Sequence, residues 1–244
     1  VCIEVLARAG LFDDTVWCSL TVGGHQDLPT GGPLRHSGWQ LPPRRSRWEV
    51  ALGASDQLCK VSVVGSPQTL SEAERRLVAA WAADCAERVL GLFEAEAPKD
   101  DRPRTAIART RAFARGELNT AEEIRRRFVG GVAASDVKAP AAAAAARSAG
   151  QAVAICHMGA HALGAAAYAA KAAGLAAPGR PEAVKDEIRW QLDHTTAEVR
   201  AALRTLPPVG ENRSGPLGPG LLASGQLGTI IRDLQAGLAL ADRD

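Results

Sequence analysis

From Ala139 to Ala177 the chain runs almost without interruption through helix-forming residues, most of them alanine. Alanine has the highest intrinsic helix propensity, so this stretch is expected to be helical throughout. A helix so poor in side-chain volume packs very close to its neighbours, and the few larger or polar residues on it stand out: Gln151, His157, Met158 and His161. Residues four apart share a helix face, so His157 and His161 are expected to project together, with Ala154 and Gln151 one and two turns earlier on a similar azimuth. That face is core, ligand site or partner surface, and the rest of the chain has to say which.

The chain has 244 residues, a formal net charge of +2 and about half hydrophobic content, with few aromatics. This describes a globular protein built from closely packed helices, with room for one large domain or two small ones. The charge is too small to argue for nucleic acid, and no aromatics interleave with the basic residues. Five cysteines, Cys2, Cys18, Cys59, Cys85 and Cys156, are scattered without a CxxC pair, as expected of reduced thiols in a cytoplasm. No signal-peptide pattern opens the sequence. Arg147, Gln151, His157, His161 and Lys171 interrupt the alanine run too often for a membrane span.

The first 70 residues differ in texture. Val16–Val22 alternates before Gly23-Gly24, and Trp48–Gly53 and Leu58–Val64 read as two further strands. A Pro/Gly/Arg-rich loop separates them. We expect a small β-containing module over 1–70, a helical domain over 71–206, and a Gly/Pro-rich loop with a C-terminal helix over 207–244. That last piece packs on its own subunit or on a neighbour, which makes a homodimer one expected assembly. The fold class is mainly α: an antiparallel helical array with a small N-terminal β-containing module.

Within the helical part, a helix is expected from about Glu72 to Glu96, capped by Thr69 or Ser71, with Leu77, Trp81, Ala82, Cys85, Val89, Leu92 and Phe93 as its apolar stripe. Pro103 suits the first turn of a second helix, with Asp100 or Asp101 as cap. Thr120-Ala121-Glu122-Glu123 fits a capping box. A helix from Pro181 to about Arg204 carries a possible break at Thr195-Thr196, and Leu227 to Ala241 is helical again.

Three blocks carry a resemblance. Trp81-Ala82-Ala83-Asp84-Cys85-Ala86-Glu87-Arg88-Val89-Leu90 is the first. Asp101–Ile107, continuing to Arg111–Glu117, is the second. Ala149–Ala154 followed by His157–Ala166 is the third. In this order they resemble the bacterial Imm-5-like immunity proteins, over roughly Ser71 to Ala177. The resemblance implies a protein that protects its producer against a toxin, and it leaves the chemistry open. Arg88 stands where the family commonly has histidine, and Ala133–Asp136 lacks another; if those histidines form a shared polar site, this member has altered it.

HxxxH on a helix can offer two imidazoles to one metal, but no neighbouring glutamate completes the HExxH pattern. Cys156 points about 100° away from His157 on an ideal helix and is a poor co-ligand. No cofactor is therefore expected, with a divalent metal such as zinc as the alternative. Asp84 either pairs with Arg88 one turn on or orients a histidine across a helix interface, fixing its tautomer. His157, His161 and Asp84 are the candidate acid–base groups. Gln151, Trp81, Cys85, Arg102, Arg104 and Met158 are the candidate ligand contacts. The arginines from Arg102 to Arg127 form either a basic face for an acidic partner or a set of solvated ion pairs. Two functions stand. One is an immunity protein that binds and neutralises a protein toxin. The other is a small-molecule binding protein or enzyme of a bacterial biosynthetic or self-resistance pathway.

Overall fold

Ser71 starts the helical unit by a reciprocal cap. Its Oγ accepts from Glu74 N at 3.2 Å, and Glu74 Oε2 accepts from Ser71 N at 2.8 Å. In the computed structural model of the protein, residues 66–126 and 132–240 are described, and the chain divides into two units after Gly65. The strands expected at Val16–Val22, Trp48–Gly53 and Leu58–Val64 lie outside the described residues.

Eight α-helices make up the described part: α1 (Glu72–Glu94), α2 (Arg102–Ala114), α3 (Thr120–Arg126), α4 (Pro140–Ala154), α5 (His161–Ala176), α6 (Ala183–Asp193), α7 (Ala197–Arg204) and α8 (Gly225–Leu240). Among the described residues there are no strands. Two 3₁₀ turns, Val132–Ser135 and Leu221–Ala223, complete the list.

The alanine run is two helices, which corrects the single element expected from Ala139 to Ala177. α4 ends at Ala154, residues 155–160 turn, and α5 starts at His161. The two halves fold back as an antiparallel hairpin, as the pairings show: Ser148 lies against Ala165 and Gln151 against His161. The break has an external cause. Gly159 N donates to Thr69 O at 2.9 Å and Ala160 N to Gln68 O at 3.0 Å, so a neighbouring segment captures these amides. Gly159 also lets Leu70 in, since a Cβ there would stand 2.4 Å from Leu70 Cδ1.

α5 is the central helix. Every residue from Ala162 to Ala170 is buried, and α1, α4, α6 and α8 pack around it. A helix apolar on all sides belongs in an interior. Most of these residues are alanines, so the backbones come close enough for Ser148 Oγ to donate to Ala165 O of the facing helix at 2.7 Å. On α1 the buried face is Val78, Trp81, Ala82, Cys85, Ala86, Val89 and Phe93. The expected stripe holds except for Leu77, which is 42 % exposed.

Helix ends mostly follow the expected signals, with shifts of one residue. Pro103 sits in the first turn of α2, but Asp101 makes no side-chain cap; Asp100 Oδ1 instead accepts from Arg102 N at 3.1 Å. Asn119, not Thr120, caps α3, its Oδ1 accepting from Ala121 N and Glu122 N at 3.0 and 3.2 Å. The helix expected from Pro181 to Arg204 does break at Thr195-Thr196, where Thr196 Oγ1 accepts from Val199 N and starts α7. The Gly/Pro-rich stretch 207–224 forms a strap. Gln235 of α8 pins its start, accepting from Val209 N and donating to Pro207 O. α8 itself packs on α5, α6 and α7 of the same unit. No described helix is long and apolar enough to cross a membrane.

Candidate functional site

The turn between α4 and α5 gathers the polar residues that the sequence singled out. His157 lies in the turn and His161 opens α5, so their relation is not that of two positions on one helix face. Their ring centroids are 6.5 Å apart and tilted by 41°. His161 Nδ1 lies 2.8 Å from Gln151 Oε1, the last turn of α4 meeting the first residue of α5. In this geometry an Nδ1–H of the imidazole can donate to the amide oxygen of Gln151. Gln151, His157, Met158 and His161 are all half-buried. Gly164 provides the floor under the amide: a Cβ there would stand 2.4 Å from Gln151 Oε1 and 3.0 Å from Leu222 Cδ1 of the strap.

Arg75 borders this turn from α1. Its Nη1 donates to Leu70 O at 2.9 Å, while its Nε is buried with no hydrogen-bond partner among the described residues. Burial pulls the guanidinium below its ordinary range, with the charges of Glu72 and Cys156 opposing. Leu70 holds a left-handed backbone at φ 59°, a conformation that disfavours any residue with a Cβ by about 1–2 kcal/mol. Its packing on Gly159 offsets that strain.

Asp84 lies in an ion pair with Arg111 and not with the Arg88 expected one turn on. Its Oδ1 pairs with Arg111 at 2.8 Å, and Glu87 pairs with the same guanidinium. The contact that orients His161 comes from Gln151. Arg88 reaches α6 instead of Asp84. Its Nε lies 3.2 and 3.1 Å from the two oxygens of Glu187, and its guanidinium covers the Trp190 ring at 3.8 Å. Trp190 in turn stacks on His194 at 3.9 Å.

Glu187 belongs to a buried polar cluster that no sequence motif points to. Gln191, wholly buried, donates to Ala166 O at 3.1 Å and to Glu187 Oε1 at 3.2 Å. Trp81 Nε1 donates to Gln191 O at 2.9 Å. The amide oxygen of Gln191 has no hydrogen-bond partner among the described residues. Trp81 and Cys85, expected as ligand contacts, are buried in the core beside this cluster. Burial pushes the Cys85 thiol well up, and Glu187 and Asp84 add to it. It is a neutral core thiol.

The arginines of α2 are engaged in ion pairs. Arg102 bridges Asp100 and Asp136, Arg104 pairs with Glu94, Arg109 with the buried Glu123, and Arg115 with Glu117. The arginines from Arg102 to Arg115 are each paired with a carboxylate of the same chain. Among the described residues no group of three or more His, Cys, Asp or Glu is placed to hold a metal ion.

The described residues thus form an all-helical unit with an alanine-filled interior and two histidines close together at one hairpin turn. The chain belongs to the Imm-5 like putative immunity protein family, whose profile matches residues 68–198. That span starts at Gln68 and ends in α7, so it contains both the histidine turn and the Glu187 cluster. No curated protein and no solved structure matches the chain.

Proposed function

We propose that this immunity-family chain neutralises a toxin by binding it, and that the contact runs through the histidine turn. The observation that carries this reading is the Gln151–His161 hydrogen bond, held half-buried at the end of a hairpin whose interior is filled with alanine methyl groups. A rigid backbone and an amide-fixed imidazole present a directional pattern with little ordering left to do on association. The arginine face, its charges already matched within the chain, is left with a supporting role at the rim.

The test is growth protection with the toxin encoded beside the gene, together with direct binding to that toxin. His157→Ala and His161→Ala should keep the helical melting transition and each weaken binding roughly 30-fold, as expected of central contact residues. Wild-type protection by the folded double variant would remove the histidine turn from the interface.

One observation favours a second reading. Gln151 Oε1 meets His161 Nδ1 at 2.8 Å, the kind of contact by which a protein can fix an imidazole tautomer for proton exchange at the other nitrogen. In that version the chain serves a biosynthetic or self-resistance pathway and the bound species is a small molecule. Binding of the small molecule from the same gene neighbourhood, abolished by His161→Ala in the absence of any protein toxin, would select it.

A further inference from the structure

Three segments far apart in sequence meet at Gln68. Its backbone carbonyl accepts from Ala160 N, and the next carbonyl, Thr69 O, accepts from Gly159 N. These two amides immediately precede His161, so the segment 68–69 supplies the acceptors that the start of α5 lacks within its own helix. The side chain faces the other way. Gln68 Nε2 donates to Ser214 O at 2.6 Å, and Gln68 Oε1 accepts from Leu217 N at 2.8 Å. The residue is 1 % exposed, and both ends of its amide are satisfied by strap backbone.

The strap is shaped around this side chain. Gly210 N donates to Leu217 O at 2.8 Å, closing the loop 210–217. Gly215 crosses the amide with φ +82°, and a Cβ there would stand 2.7 Å from Gln68 Nε2. Further along, the buried Leu222 reaches Gly164, the same floor on which the Gln151 amide lies. The strap therefore touches the histidine site twice, once through Gln68 and once through Leu222.

We propose that Gln68 is a positioning residue that couples the strap to the histidine turn, so that residues 210–222 and 157–161 open and close as one unit. A partner that engages His157 and His161 then selects the closed strap, and loss of the strap weakens the partner. The functional weight of this coupling rests on the histidine turn being the partner-binding element; the coupling itself is a property of the chain alone.

Native-state amide hydrogen exchange on the full-length wild-type chain reads it without any partner. The amides of Leu217, Gly159 and Ala160 are expected to share one opening constant and one urea dependence, as members of a cooperative unit do. Gln68→Ala, and from the strap side Gly215→Ala, should speed exchange at all three together by roughly tenfold, although neither substitution removes the backbone acceptors of Gly159 and Ala160. Gln235→Ala, at the other anchor of the strap, should speed Val209 alone. Separate opening constants in the wild type, or faster exchange at Leu217 with Gly159 and Ala160 unchanged, would overturn the coupling. Either result leaves the toxin-binding reading to its own protection assay.

Discussion

Arg88 lies flat on Trp190, 3.8 Å from the ring centroid, while its Nε and Nη2 hold the carboxylate of Glu187. The arginine side chain is 39 % exposed and the glutamate 6 %, so the two partners depend on the contact unequally. Glu187 has given up most of its hydration and needs the guanidinium; Arg88 would be well solvated without it.

Removing the arginine should therefore cost more than a surface ion pair is worth. Arg88→Ala leaves a buried carboxylate without its cation and is expected to destabilise the unit by about 3 kcal/mol. Arg88→Ala combined with Glu187→Gln should recover part of that loss, because the neutral amide needs no counter-charge and can still meet Gln191. Urea midpoints for the two singles and the double decide it; an unchanged midpoint in Arg88→Ala would mean that the pair adds nothing.

The two glycines Gly91 and Gly164 should respond to alanine in opposite directions. Nothing lies within 4 Å of a Cβ at Gly91, inside α1, so Gly91→Ala should stabilise by about 0.5–1 kcal/mol through the lost freedom of the unfolded backbone. At Gly164 the new methyl meets the Gln151 amide and Leu222, and Gly164→Ala should destabilise by about 1–2 kcal/mol. It should also displace the Gln151 oxygen from His161. Long-range ¹H–¹⁵N correlations report this as the loss of a dominant Nδ1–H tautomer, with both histidines still in place.

Cys85 makes the alkaline limb of stability specific. Its thiol is pushed up from an ordinary value of 9.0, first by burial and then by Glu187 and Asp84, with Arg88 acting against them. A raised value means that the folded chain keeps a proton that the unfolded chain releases. The contribution is thus fully present below 9.0 and lost as pH rises above it, by up to about 1.4 kcal/mol per pH unit. Cys85→Ala should flatten that limb in urea titrations at successive pH values. Alkylation of the wild type near neutral pH should spare Cys85 until the chain unfolds.

Much of this architecture was legible because α1, α2 and α7 announce themselves through caps, prolines and apolar spacing. Ser71 with Glu74, Pro103, and the Thr195-Thr196 break all stand close to where local chemistry puts them. The single helix expected across the alanine run does not form because its turn is imposed from outside. Ile155–Ala160 contains no proline, and its two captured amides belong to a contact with Gln68 and Thr69. Length was the overlooked clue. At about 1.5 Å per residue, one helix through the whole run would reach roughly 60 Å, far longer than a domain of this size is wide. The histidine pair was found, but the reason for its closeness was not: a hairpin turn brings Gln151 to His161, whereas Asp84 is spent on Arg111. Gln68, Glu187 and Gln191 carried no periodic signal, since a buried amide or carboxylate looks like a surface residue until its partners are known.

An interior made of methyl groups also limits how such a chain can change over generations. At Ala162, Ala165, Ala166, Ala169 and Ala170 only glycine is smaller, and almost any other replacement must force two backbones apart. The scaffold is effectively frozen in volume. Sequence change is then channelled to the exposed faces of the unit, where a residue can be exchanged without moving a helix.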